Sequence, residues 1–113
     1  MPDDRQVIAY KNYFLDFYEK QPENVQTKIE WTLNLIKVTQ YIPEKYFKHL
    51  EGTNGLYEIR VEVGRNIYRI FSFFDKGNLV VLGNAFHKKS QKTPKQELEK
   101  ALKIMEEYQN ENK

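Results

Sequence analysis

From Leu56 to Phe86 the chain reads as three strand-like runs separated by two tight turns, and few folds accept that succession. In Leu56–Val63, Tyr57, Ile59, Val61 and Val63 alternate with Glu58, Arg60 and Glu62, the period of two that a half-buried strand shows. Gly64-Arg65-Asn66 follows, with Gly and Asn available for the positive φ of a hairpin turn. Ile67–Phe74 reads as the second strand and Asp75-Lys76-Gly77-Asn78 as a second turn. Leu79–Phe86 is almost wholly apolar and suits a central position in a sheet. Such a sheet must be covered, and the flanking segments supply the cover.

A short strand is expected at Gln6–Tyr10. Lys11–Lys20 then spaces Phe14, Leu15, Phe17 and Tyr18 for a helix. Pro22-Glu23 ends it and opens a second helix to about Thr39, because proline at a first helical position loses no bonded N–H and the carboxylate meets the positive helix end. The two helices form a hairpin whose apolar faces cover another layer. Tyr46–Leu50 reads as a turn of helix or a packed loop. Thr93-Pro94 fits an N-cap and first residue of a last helix, striped by Leu98, Ala101, Leu102, Met105 and Tyr108. The order helix, helix, antiparallel strands, helix is that of an α+β domain. Residues 1–113 read as one domain, with no repeat or linker.

No cysteine is present, which excludes a disulfide framework and thiolate metal sites. No ligand-spaced cluster of His, Asp and Glu appears, and Gly52-Thr53-Asn54-Gly55 lacks the lysine and hydroxyl of a nucleotide cradle, so no metal and no cofactor are expected. No run approaches about 18 apolar residues, and the start lacks the basic-then-apolar pattern of a secretory signal. A soluble, cytoplasmic protein is the expectation.

Charge is unevenly spread. Residues 1–54 hold 7 basic and 8 acidic side chains, while the remainder hold 11 basic and 8 acidic, for a net +2 overall. Arg60 and Arg69 stand at similar distances from the turn at Gly64–Asn66, so they meet across the hairpin or lie diagonally. Two guanidiniums on one sheet face suit bidentate contact with phosphate. The competing assignment pairs Arg60 with Glu58 or Glu62 on a solvated face. Arg69 interrupts Ile67-Tyr68-Arg69-Ile70-Phe71, where a charge is costly without a partner or ligand. His87 leaves the third strand beside Lys88 and Lys89; its imidazole suits proton transfer, though a lone histidine is more often structural than catalytic. Lys89 and Lys92 in the basic exit, Arg65 in the turn and Phe86 as a base-stacking ring complete the candidates for RNA contact.

The succession Lys48-His49-Leu50-Glu51-Gly52, Gly55-Leu56-Tyr57-Glu58-Ile59-Arg60, Tyr68-Arg69-Ile70 and Ala85-Phe86-His87-Lys88-Lys89-Ser90-Gln91-Lys92-Thr93-Pro94 resembles the phage-derived branch of HigB toxins in the RelE/ParE toxin–antitoxin superfamily. The resemblance spans roughly Phe14 to Tyr108. It implies two N-terminal helices packed on a small twisted antiparallel sheet, with a C-terminal helix. It also implies a ribosome-dependent endoribonuclease that cuts mRNA by 2′-hydroxyl attack on the adjacent phosphate, without a metal or other cofactor. Arg60, Arg69, His87 and Lys88 then fall at the catalytic positions, with Arg69 stabilising the charged phosphorane. Glu58 stands where RelE has a lysine. The implied partners are a helix-turn-helix antitoxin, the ribosome and its mRNA. On this expectation Arg69→Ala abolishes growth arrest while the fold persists. Two other outcomes fit the same superfamily: a ParE-like inhibitor of DNA gyrase, or an inactive binding module.

Overall fold

The computed structural model describes residues 4–113, and the elements follow in the order β1 (Gln6–Ala9), α1 (Tyr13–Glu19), α2 (Glu23–Val38), β2 (Phe47–His49), β3 (Leu56–Val63), β4 (Asn66–Asp75), β5 (Leu79–Lys88) and α3 (Lys95–Glu111). The strands form one five-stranded sheet in the order β1-β5-β4-β3-β2. The three strands read from the sequence are its antiparallel centre. β1 joins parallel to β5 along one edge, with Val7 beside Val80. β2 takes the other edge, antiparallel to β3.

β2 differs from the turn of helix or packed loop expected at Tyr46–Leu50. Three residues are too few to show a period, and the pairing is decided across the sheet: Phe47 lies opposite Ile59 and its ring stacks on Tyr57 at 4.6 Å. Helix boundaries shift by a residue or two, as capping geometry commonly allows. Pro22 is the N-cap of α2 rather than its first residue, and its carbonyl accepts from the amides of Val25 and Gln26.

The sheet is covered on both faces, so its interior strands are buried above and below. On one face Phe14 of α1 and Val25, Ile29 and Ile36 of α2 pack on Ile59, Val61, Tyr68, Ile70, Val80 and Leu82. On the other, Ala101, Ile104, Met105 and Tyr108 of α3 pack on Leu56, Phe71, Phe73, Val81 and Phe86. Residues of β3 and β4 alternate between these layers, which puts Glu58, Arg60 and Arg69 on the α3 side. No helix among the described residues is long and apolar enough to cross a membrane.

One irregularity sets the site. Ile70 pairs with Ala85, yet Ser72 pairs with Leu82, so Gly83 and Asn84 together oppose Phe71 in a β-bulge. Gly83 lies close under α3: a Cβ there would sit 3.5 Å from Ile104 Cγ2. Asn84, buried, donates from Nδ2 to the carbonyl of Glu97 at 3.1 Å and to its Oε1 at 3.2 Å, tying β5 to the first turn of α3. A one-residue slip inverts the facing of every residue beyond it. Before the bulge Val81 faces α3; after it Phe86 does, and His87 turns to the opposite layer.

Candidate functional site: two arginines around a buried glutamate

Arg60 and Arg69 are direct partners across the β3–β4 ladder, so of the two arrangements open in the sequence they meet face to face. Like charges directly opposite repel, and the neighbour that makes the pair tolerable is Glu58, two residues from Arg60 on the same face. Its Oε1 lies 3.4 Å from Arg60 Nε and 3.2 Å from Arg69 Nε. Its Oε2 accepts a hydrogen bond from the Thr93 hydroxyl at 2.9 Å. Glu58 is 2 % exposed and Arg69 5 %, whereas the Arg60 side chain keeps 28 % of its surface. Arg60 therefore faces outward, with Glu58 and Arg69 behind it.

Thr93 thus does not cap α3 as its place before Pro94 suggested. The helix starts at Lys95, Pro94 is its N-cap without a side-chain cap bond, and the Thr93 hydroxyl serves the Glu58 carboxylate. A carboxylate buried among apolar strands needs every donor within reach, and this need outweighs a cap bond to solvent-facing amides.

Two cations share one anion here, so the cluster retains net positive charge. Burial pulls the Arg69 guanidinium below its ordinary value; the Glu58 carboxylate opposes that shift and Arg60 adds to it. Arginine stays charged regardless. Arg69 Nη1 donates to the Tyr68 carbonyl at 3.3 Å, and Nε, near Glu58 but poorly aligned, makes no hydrogen bond. The arrangement holds a positive field behind an accessible guanidinium, which suits an anion arriving at Arg60. Because Arg69 is one of three groups serving Glu58, Arg69→Ala leaves that buried carboxylate with Arg60 and the Thr93 hydroxyl alone, at a cost of about 3 kcal/mol. The variant is thus expected to keep the fold with reduced stability.

The remaining candidates divide between places. Beyond the bulge, His87 stacks on the Tyr68 ring at 4.7 Å, on the layer of α1 and α2, away from the arginines. Lys88, next along the pleat, points to the arginine side in its place. Phe86 lies opposite Arg69 but is a core residue, its ring 5.6 Å from that of Phe71, with no free face for a base. Arg65, His87, Lys88 and Lys89 line an open groove of about 720 Å³ between the β3–β4 turn and the exit of β5. Lys92 is exposed in the connection to α3. The catalytic set read from the sequence thus does not converge on one point: Arg60 and Arg69 share a cluster, Lys88 shares their face, and His87 does not. Among the described residues no cluster of His, Asp and Glu suits a metal ion.

Sequence reasoning had Glu58 as a candidate partner of Arg60 on a solvated face, and missed its burial between both arginines and the part played by Thr93. An acid between Tyr57 and Ile59 was a weak sign, since Glu62 holds the same phase of the strand and is exposed. Gly83 inside an apolar strand was the available sign of the bulge.

Comparison with known proteins agrees with this architecture. A chain in the crystal structure of the archaeal RelE–RelB complex from Pyrococcus horikoshii OT3 superposes with a TM-score of 0.56 at 17% identity, covering 74% of this chain and 94% of that one. A chain of the RelB–RelE antitoxin–toxin complex from Methanococcus jannaschii gives 0.54 at 18% identity, covering 78% and 100%. At such identities the likeness is one of fold. A search of curated proteins finds no match. The family model for the phage-derived protein Gp49-like (DUF891) matches residues 16–106, from within α1 to within α3. With that match spanning strands β2 to β5, the arginine cluster and its Thr93 latch, the chain belongs to the phage-derived Gp49-like family and carries the RelE-like fold.

Proposed function

We propose that the chain is the toxin of a type II toxin–antitoxin pair, an HigB-type endoribonuclease that cuts mRNA on the ribosome. The observation that carries this reading is the direct pairing of Arg60 with Arg69 around buried Glu58, which leaves one accessible guanidinium backed by excess positive charge. In the proposed reaction a ribose 2′-hydroxyl gives up its proton to a solvent water and its oxygen attacks the adjacent phosphorus. The 2′-O–P bond forms as the P–O5′ bond breaks, leaving a 2′,3′-cyclic phosphate and a 5′-hydroxyl. Arg60 contacts the phosphate oxygens, and the field of Arg69 favours the added charge of the pentavalent state. Lys88, on the same face, gives the leaving oxygen its proton. His87, with Arg65, Lys89 and Lys92, is assigned to RNA contact at the basic groove instead. Complexes with RelB among the similar structures support an antitoxin as the protein partner, and a cytoplasmic site of action follows from the substrate.

The test is to map new RNA ends on ribosomes holding a defined mRNA. The wild-type protein is expected to cut within the A-site codon, and Arg60→Ala, which leaves Glu58 its contacts with Arg69 and Thr93, to slow cutting about a hundredfold. Intact mRNA with a folded protein that still arrests growth would overturn the reading in favour of a protein target such as DNA gyrase.

A further inference from the structure

β2 pairs with β3 from Tyr57 to Ile59, and the Arg60 amide donates to the Tyr46 carbonyl at 2.8 Å, so the remaining β3 edge from Val61 to Val63 opens towards α2. Two shallow grooves of about 210 and 370 Å³ lie there and share Lys28 and Glu62. Arg60 lines the first with Lys45 and Tyr46, and Trp31 lines the second with Val63. The grooves are thus continuous with the arginine cluster. Trp31 keeps 47% of its surface exposed, on a helix whose opposite side is fully buried at Ile29 and Ile36. Lys28 Nζ sits 4.2 Å above its ring, Tyr46 meets it edge-on at 5.6 Å, and Lys45 Nζ lies 5.5 Å from the Tyr46 ring.

We propose that this edge binds single-stranded RNA: a nucleotide flanking the one held at Arg60 stacks on Trp31, and its phosphates lie between Lys28 and Lys45. The inference rests on the RNA-cleaving reading and extends it. Three cations against the single carboxylate of Glu62 favour an anion. An exposed indole between ammonium groups favours an anion that carries a flat ring. A base arriving on the indole displaces the Lys28 ammonium, whose stacking at an exposed site is the weaker contact, and frees it to pair with phosphate.

Trp31 is the chain's single tryptophan, so its emission reports on this groove alone. The probe is a short, uncleavable 2′-O-methyl RNA oligonucleotide at low salt, with binding followed in parallel by anisotropy of a labelled copy. The expected result is a saturable quench of Trp31 that tracks the anisotropy curve. Trp31→Leu is expected to weaken binding roughly tenfold, and Lys28→Gln with Lys45→Gln to flatten its salt dependence. Should Trp31→Leu fail to fold, the double lysine variant tests the same groove through that salt dependence. RNA bound with Trp31 silent and these variants unimpaired would overturn the inference and leave mRNA cleavage standing, as would a failure to bind RNA at all. An emission change produced only by a protein partner would also overturn it and assign the edge to that partner. A Trp31 quench without ribosomal cleavage would instead sink the nuclease reading and leave an RNA-binding surface.

Discussion

The two ends of α3 are each tied down by a cluster of charge, and the clusters are built on opposite principles. At the C-terminal end Lys11 Nζ reaches Glu107 at 2.9 Å and Glu111 at 3.2 Å, while Tyr13 and Tyr10 donate to the same two carboxylates at 3.0 and 2.6 Å. The charged groups there are open to water and every one has a partner. At the N-terminal end Thr93 and two guanidiniums converge on one buried carboxylate, and Arg69 Nε is left without an aligned acceptor. Water forgives imbalance at the surface, whereas a buried excess of charge is costly unless something completes it. Both clusters are out of balance by one charge; the exposed one leaves its excess to water, and the site near Arg60 is conspicuous for holding its excess in the interior.

That contrast is open to measurement, and the buried cluster gives the largest effect. Arg69→Met is expected to lower stability by about 3 kcal/mol in urea unfolding, and adding Glu58→Gln should recover part of it, since the carboxylate left with Arg60 and Thr93 alone is then neutral. A loss below about 1 kcal/mol would mean that the buried pair is not coupled and would erase the distinction. Next is Tyr108→Phe, which removes a donor to Asp75 at 2.7 Å beneath the C-terminal end of α3 and should cost about 2 kcal/mol. The bond to Asp75, with burial, pushes the Tyr108 hydroxyl up to about 12; burial, then Glu111, does the same for Tyr10. A folded value raised above the unfolded one gives stability that is complete below pH ~10 and is lost as pH rises towards 12. Tyr108→Phe should therefore also shallow the alkaline loss of stability.

Smaller again, Thr93→Val is expected to cost about 1 kcal/mol. Its sharper reading is hydrogen exchange, which should speed up in residues 89–93 while β3 stays protected. The smallest effect belongs to the exposed cluster. Lys11→Gln should leave the melting midpoint at high salt unchanged, because surface ion pairs are screened. The hydrogen bond from Lys11, then that from Tyr13, holds the Glu107 carboxyl below its usual value, and Tyr10, then Lys11, does so for Glu111. Their contribution is present above the ordinary carboxylate range and disappears as pH falls through the lowered folded values. At low salt Lys11→Gln should flatten that acid loss. A large destabilisation at high salt would show that this end too depends on buried charge.

Much of this molecule is legible from neighbouring residues alone. Alternation in Leu56–Val63, the turns at Gly64–Asn66 and Asp75–Asn78, and the stripe from Leu98 to Tyr108 determine strands, hairpins and the last helix, because side-chain period and turn chemistry act over a few residues. The similar distances of Arg60 and Arg69 from their turn already narrowed their relation to two arrangements. What the chain could not settle depends on contacts between distant segments. The bulge at Gly83–Asn84, fitted under Ile104 and bonded to Glu97, takes His87 off the arginine face and brings Lys88 onto it. The three residues of β2 exist as a strand only because the edge of β3 is there to pair with. Thr93 gives up a cap position to satisfy Glu58, 35 residues away in sequence. Period and turn are properties of the local chain, but the facing of a residue beyond a bulge and the burial of a charge are decided by whatever packs against it.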